Sequence, residues 1–447
     1  MTDQLTTLTN ETVELLQALI SNQCVNDGTP DSGNEDVSAR LLRDELEGTG
    51  VDLQMFETRP NRSSLIARWP GTDPNAPALC LMGHTDVVPV SPDGWDHDPF
   101  GGELIDGEIW GRGAVDMLNL TASMTVAFRH MIQSGKRFAG DIVYFAVADE
   151  EAGGVWGAKP LVENEWDHLR CDYVLTEFGG IPLHSPSGTS ILVTTAEKGI
   201  GWRRLTVKGS PGHGSAPWGA DNALVKASAV VQRLSQYSPK AKLDELWAAR
   251  VLALGLDKDL TGRLLDPNQI DAALHELPPG IAANAHACSH TTFSPNVIEG
   301  GVKTNVIPDK VVIEVDIRTL PGETAADIKA HLDAALGDLV DHVEYEDIHT
   351  DPSTASPTDN RLWEALVGST NAAYPQAKVI PSIVGGGTDA RFFRNRGAIA
   401  YGAGLLSPAV DTVEFFRRFH GHNERIDVDS LRLTTQLWLD VVDRLWD

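Results

Sequence analysis

Several carboxylate and imidazole side chains in this 447-residue sequence stand at the ends of apolar runs or beside paired glycines. His84 closes the run PALCLMGH, and Asp86 follows two residues later, so in extended chain both side chains point to the same side. That spacing suits an imidazole that ligates a metal while a carboxylate behind it orients the ring, although a His and an Asp two apart are also common in surface loops. Asp116, in IWGRGAVDM, follows Gly111 and Gly113, which let backbone approach closely. Taken alone it would be the N-cap of a helical stretch starting near Met117. Glu150 and Glu151 end the run IVYFAVADEE and lead into Gly153 and Gly154; consecutive carboxylates can divide labour, one ligating a cation and the other acting as general base. Glu177 ends DYVLTE before Gly179 and Gly180, and His420 lies in FHGHNE with His422 as a rival two residues on. Imidazoles and carboxylates without a cysteine among them suit Zn²⁺ or its divalent relatives with positions left open for water. A carboxylate bridging two such ions ~3.5 Å apart would make a hydrolytic site.

The elements that must position these groups alternate along the chain. Strand-like runs at 63–69, 77–84, 141–151 and 171–177 are separated by helical stretches, one of them from about Asn119 to Ser134. Upstream, Val13, Leu16, Leu19 and Ile20 recur at helical spacing behind Thr9 and Asn10 as candidate caps, and a second helix is expected over Glu35 to Glu47. Short apolar strands alternating with helices predict an α/β unit whose site lies at the C-terminal ends of its strands. From Glu197 the pattern changes. GWRRLTVKG and the run at 310–320 alternate more, and two helical stretches at 221–236 and 324–338 accompany them, which predicts a smaller α+β unit. The stretch 238–300 is poorly periodic and punctuated by Pro and Gly, and reads as an insertion within that unit. After Asp351 helix and strand signals return, with GGGTDARFF at 385–393 and a final helix from 429. The organisation expected is a catalytic domain of residues 1–196 and 351–447, interrupted by an inserted domain of residues 197–350.

Composition removes some partners. With a formal net charge of −27, against 36 Lys and Arg, neither nucleic acid nor an anionic membrane is expected as a partner, since each calls for a clustered basic face. The N-terminal sequence lacks a basic segment followed by an apolar one, and no run approaches ~18 apolar residues, so neither a signal peptide nor a spanning helix is expected. Cys24, Cys80, Cys171 and Cys288 form no CxxC pair, and a reducing, cytoplasmic location is expected.

The ordered motifs MGHTDVVPV, GWDHDPFGGELIDGEIWGRGAVDM, ADEEAGG, LTE, SPGHGSAPWGADNA, TNVIPD, DIRTLPG, GGGTDARFF and HGHNE cover nearly the whole chain. In them the sequence resembles the zinc exopeptidase and deacylase family of aminoacylase, acetylornithine deacetylase, succinyl-diaminopimelate desuccinylase and glutamate carboxypeptidase. The stretch from GWDHDPF to GAVDM looks most like the aminoacylase and carboxypeptidase branch. The resemblance implies a catalytic domain with a mixed sheet flanked by helices, and an inserted α+β lid and dimerisation domain. It makes His84, Asp116 and Glu177 the ligands of one zinc ion, with Asp116 bridging to a second held by Glu151 and His420; cobalt or manganese are possible substitutes. His420 is preferred to His422 because only it has Asn423 and Glu424 at the family's spacing. Glu150 becomes the general base and Asp86 the partner of His84. His213, in PGHGSAP, matches a histidine lent to the neighbouring subunit of a homodimer. Asn305 and Arg318 match the residues that grip the substrate's carboxylate, and Gly386, Gly387 and Thr388 match a loop near the substrate. After GAVDM many members carry Lys-Gly, where this chain has Leu118 and Asn119, so no role passes to either.

The activity implied is hydrolysis of an amide or peptide bond near a free carboxylate, on a small N-acyl amino acid or short peptide. A deacylase and a carboxypeptidase or dipeptidase remain alternatives, because both present the same scissile group. A non-catalytic metal-binding scaffold is a third reading; Glu150 beside all five ligands argues against it, since a scaffold has no use for the base.

Overall fold

The computed structural model describes residues 2–186 and 188–447. Its larger sheet has ten strands in mixed directions. The central strand Leu79–His84 runs parallel to Ile142–Val147 on one side and Tyr173–Thr176 on the other, in the registers His84↔Val147 and Leu81↔Leu175. Every residue of Leu79–His84 and Ile142–Val147 is buried. The reason lies in the two faces: Leu79, Leu81, Tyr144 and Leu175 pack into one apolar core, and Cys80, Met82, Val143 and Phe145 into another. A sheet covered on both faces needs continuous apolar runs rather than alternation, which is what made these strands legible. The first core is roofed by the helices Thr2–Ser21, Leu118–Gln133 and Val428–Leu445. Cys80 and Cys171 are free and lie buried in the second core, among apolar neighbours.

Some boundaries differ from expectation. The first helix begins at Thr2, so Thr9 lies inside it and its hydroxyl donates to the Leu5 carbonyl at 2.7 Å instead of capping. The strand expected to run to 151 ends at Val147; Asp149, at φ +70°, turns the chain and puts Glu150–Ala152 in a short 3-10 turn. A strand at Asp52–Arg59, pairing antiparallel with Arg62–Trp69 at the sheet edge, had no signal because its residues are mostly polar and half-exposed.

The smaller sheet is antiparallel, in the order Thr292–Gly300, Lys310–Thr319, Gly199–Lys208, Val343–Asp351. Lys310–Thr319 alternates buried and half-exposed residues, and its inward side chains meet the helices Ala223–Gln236 and Ala325–Leu336 in a separate core. The 238–300 stretch holds four short helices, Glu245–Ala253, Lys258–Leu264, Ile270–Leu274 and Pro279–Ser289, before the edge strand Thr292–Gly300. Their core takes in Ala196 and Ile383 of the larger sheet, so these helices wedge between the two sheets. They are short, and Pro279–Ser289 has no amphipathic stripe, with only Ala285, Cys288 and Ser289 buried, so periodicity could not find them. No helix among the described residues is long and apolar enough to cross a membrane.

Candidate metal centre

The parallel strands deliver their chemistry to one edge. His84 is the last residue of its strand, Glu177 follows Thr176, and Glu150 and Glu151 lie just beyond Val147. Asp116 reaches the same edge from the turn before the helix Leu118–Gln133, whose N-cap position is held by Met117 and not by Asp116. His420 arrives from the loop before the last helix, with φ +55°. Two clusters result. His84 Nε2 lies 3.3 Å from Asp116 Oδ1 and 3.6 Å from Glu177 Oε2. His420 Nε2 lies 3.2 Å from both Asp116 Oδ2 and Glu151 Oε2. Among the described residues these are the two groups whose ligand atoms converge within 4.8 Å, and Asp116 gives one oxygen to each. His422 belongs to neither; it packs over Gly94, where an added Cβ would sit 2.4 Å from its ring.

The supporting contacts explain why these side chains converge. The His84 Nδ1–H donates to the backbone carbonyl of Asp86 at 2.9 Å, which leaves Nε2 as the metal-facing nitrogen. The Asp86 carboxylate is 3.6 Å from that ring and does a different job. It accepts the backbone N–H of Glu150 at 3.2 Å and of Glu151 at 3.1 Å, fixing the turn that carries both acids. The hydrogen bond of the His84 ring thus goes to the backbone carbonyl of Asp86, and the expected carboxylate partner lies farther off. Behind it lies a buried group that sequence reasoning missed. Asn26 donates to Asp86 at 2.8 Å and Asp149 at 3.1 Å, and Arg62 lies 2.6 Å from Glu35 and 3.2 Å from Asp149. One guanidinium serves several carboxylates, and burial with the charge of Asp86 pushes Glu35 up to about 8. Arg112 and Glu424 were missed as well. They pair at 2.6 Å, while Glu424 accepts the backbone N–H of Val115 at 2.8 Å and of Asp116 at 3.2 Å, and Arg112 donates to the His420 carbonyl at 3.3 Å. This clamp ties the Asp116 turn to the His420 loop. Its partners are 312 residues apart, beyond the reach of any local pattern.

The electrostatics are those of an acid cluster in want of cations. Burial, then the charge of Glu177, pushes Glu150 well above the carboxylate range, and burial raises Glu177 to about 8. Burial would raise Asp116 too, but hydrogen bonds from His420 and His84 outweigh it and hold that carboxyl low. Asp116 and Glu151 in turn raise His420 to about 10. Protons and imidazolium thus occupy the place where a divalent cation would be favoured, and cation binding would release them. The donor set fits such a cation: it has no thiolate, Glu151 Oε1 is buried without a hydrogen-bond partner, and Glu150 stays outside both clusters. The chemistry available is hydrolysis by an activated water next to a carboxyl base.

The other expected residues lie elsewhere. His213 and Asn305 meet on a two-stranded ladder, with Gly214 N–H donating to the Asn305 carbonyl at 2.8 Å and His213 paired to Ser215 at 2.7 Å. Both are exposed and belong to neither cluster. Arg318, half-buried on Lys310–Thr319, is held by Asp316 at 2.8 and 3.3 Å. Gly386, Gly387 and Thr388 form the loop after the strand Lys378–Val384, and Thr388 is buried.

Residues 80–444 match the model of "Peptidase family M20/M25/M40". Mouse aminoacylase-1 is 28% identical over 414 residues, covering 91% of this chain and 88% of that protein. An "N-fatty-acyl-amino acid synthase/hydrolase PM20D1" from Xenopus tropicalis is 28% identical over 391 residues, 83% of this chain and 73% of that one. Among solved structures, an M20 family metallo-carboxypeptidase from Sulfolobus solfataricus superposes with a TM-score of 0.74 at 17% identity, covering 97% of this chain and 99% of that chain. With its mixed sheet, smaller antiparallel sheet and paired His-carboxylate clusters, this chain belongs to peptidase family M20/M25/M40 and is a metal-dependent hydrolase of amide bonds.

Proposed function

We propose that this protein is a cytoplasmic, homodimeric deacylase that splits the amide bond of small N-acyl amino acids, using two zinc ions. The observation that carries the reading is the pair of clusters joined through Asp116. His84, Asp116 and Glu177 would hold one ion, and Asp116, Glu151 and His420 the other. When bound, such ions polarise the carbonyl and lower the pKa of water. Glu150 takes the proton of the attacking water and returns it to the departing amine; the Asp86 contacts to the Glu150 and Glu151 backbone hold it on station. Residues 1–196 and 351–447 act as the catalytic body and 197–350 as lid and dimerisation domain. Trp218 is 95% exposed, Val302 89% and Val225 65%, large apolar side chains of the 197–350 segment that a second copy of the chain would cover. His213 then reaches the partner's site and stabilises the oxyanion.

Arg318 and Asn305 read the substrate's carboxylate, with Gly386, Gly387 and Thr388 lining the approach. The substrate must take Arg318 from Asp316, which already offers it two oxygens, so the gain per contact falls toward the lower end of the roughly 10- to 150-fold range of a charge-assisted pair. The test is a panel of N-acetyl and N-succinyl amino acids and dipeptides, each as free acid and as C-terminal amide, on zinc-loaded protein. The acids should be cleaved and the amides poorly, and Arg318→Met should lower kcat/KM by about tenfold on acids alone. Faster turnover of dipeptides than of acyl amino acids would move the enzyme to the dipeptidase side. Equal cleavage of acid and amide sinks the carboxylate reading.

A further inference from the structure

The chain crosses from the larger sheet to the smaller at Glu197–Lys198–Gly199 and returns at Asp351–Thr354. The crossings touch: Ile200 pairs with Asp351, and a Cβ on Gly199 would lie 2.6 Å from the Ser353 amide nitrogen. Neighbouring residues of an extended chain point to opposite sides, and here that sends two buried charges into two different bodies. The Glu197 carboxylate, 1% exposed, takes four donors: Thr388 N–H at 2.6 Å, Thr388 Oγ1 at 2.9 Å, Thr354 Oγ1 at 2.6 Å and Arg394 Nη1 at 2.9 Å. That satisfies the acceptor capacity of a carboxylate. The Lys198 ammonium, 2% exposed, donates to the carbonyls of Ala287 at 2.9 Å and His290 at 2.7 Å and to Thr292 Oγ1 at 3.4 Å. Those acceptors are the C-terminal end of the helix Pro279–Ser289 and the first residue of the edge strand Thr292–Gly300. A cation there also meets the negative end of the helix dipole.

From Glu197 the contacts continue to the metal centre. Thr388 is followed by Asp389 and by the short helix Ala390–Arg394, which carries Arg391. Arg391 donates to the Gly153 carbonyl at 2.8 Å and forms an ion pair with Asp351 at 3.3 Å. A Cβ on Gly154 would lie 2.5 Å from Asp389 Oδ1, so the two segments are in close contact. Gly153 and Gly154 end the turn that carries Glu150 and Glu151.

We infer that Glu197 and Lys198 are positioning residues that couple the setting of the smaller sheet and its wedge helices to the 385–391 segment, and through Arg391 to the turn bearing Glu150. Each crossing residue is fixed to one body by a fully satisfied buried charge, so a shift of the smaller sheet is carried to Thr388 and Arg391 and not absorbed in the crossing.

The test compares wild type with Lys198→Met, which keeps the stem and removes the three donors, and with Lys198→Arg as the conservative variant. Two readouts are taken on zinc-loaded protein: kcat and KM for an N-acetyl amino acid, and backbone hydrogen exchange of residues 385–391. Lys198→Met should lower kcat by roughly 2- to 30-fold with KM moving less, and speed exchange at 385–391 without loss of metal. Lys198→Arg should restore much of both. The kinetic readout rests on the hydrolase reading and the exchange readout does not, so an inactive wild type fails the former alone. If Lys198→Met does not fold, Lys198→Gln takes its place. A double-variant cycle of the Lys198 change with Thr388→Val should be non-additive in kcat. A lowered melting temperature with wild-type kcat, unchanged exchange at 385–391 and additive effects would overturn the inference.

Discussion

The two halves of the metal centre share Asp116 and little else. His84, Asp116 and Glu177 are 1%, 5% and 3% exposed, and sheet and helix hold His84 from every side. Its carbonyl accepts from Thr121 at 2.7 Å, its N–H points at Met117 Sδ at 3.2 Å, and its ring is fixed by the Asp86 carbonyl. The other half depends on His420, whose side chain is 53% exposed and whose backbone is left-handed, a strained state for a non-glycine residue. What holds that loop is remote: the Arg112–Glu424 clamp and the stacking of Phe419 on Phe178 at 5.1 Å. The first half is built into the sheet, while the second is a loop pinned onto it. A cation on the His420 side should therefore be held less firmly and exchange first.

The largest effect separates ligand from base. Glu150→Gln should keep near-normal metal content and lose at least ~100-fold in kcat, because Glu150 stands outside both halves. Full turnover in the metal-replete variant would place the base elsewhere. A smaller effect sharpens the contrast between the halves. His420→Ala should lose one metal equivalent and leave the His84 half filled, and wild type titrated with a chelator should release metal in two steps. Release of both ions in one step, or loss of both in His420→Ala, would make the halves a single unit. The smallest effect is in stability. In ion-free protein His420 is raised from 6.5 to about 10 by Asp116 and Glu151, so its pairing stabilises the fold fully below pH 6.5 and is lost as pH rises toward 10. Glu177 is raised by burial from 4.5 to about 8, so its protonated form favours the fold at low pH and stability falls across that window. Ion-free protein should melt lower as pH rises from 4.5 to 10. His420→Ala should flatten the upper part of that slope and Glu177→Gln the lower part, in melting curves taken at each pH.

The sequence revealed best what obeys local rules. Strands buried on both faces must be apolar throughout, so the runs ending at His84, Val147 and Thr176 stood out, and the acids after them marked the edge of the sheet. Pairing across the chain was not legible. Nothing near Arg112 announces Glu424, and nothing near Arg62 announces Asp149. Glu197 and Lys198 read as two charged residues at the end of an apolar strand, where solvent is the ordinary expectation; each is buried because its partners come from residues that only the fold brings near. The short helices at 245–289 escaped for another reason, since most are too brief to establish a stripe and Pro279–Ser289 has none.

The strand Ile399–Gly402 slots between Tyr173–Thr176 and Gly188–Glu197, pairing in parallel with the former and touching the latter at Gly402↔Thr194. Its partner strand is therefore made long before it and must wait with an open edge. Joining segments so far apart costs chain entropy, which grows with the logarithm of the intervening length. The smaller sheet cuts that cost, because its two ends leave as hydrogen-bonded neighbours at Ile200 and Asp351. Once it has folded, residues 201–350 count as little more than a tight turn in the path between the halves of the larger sheet. Local folding of the inserted segment thus comes to decide how readily a long-range parallel pair, and with it the Glu177 edge of the metal centre, can close.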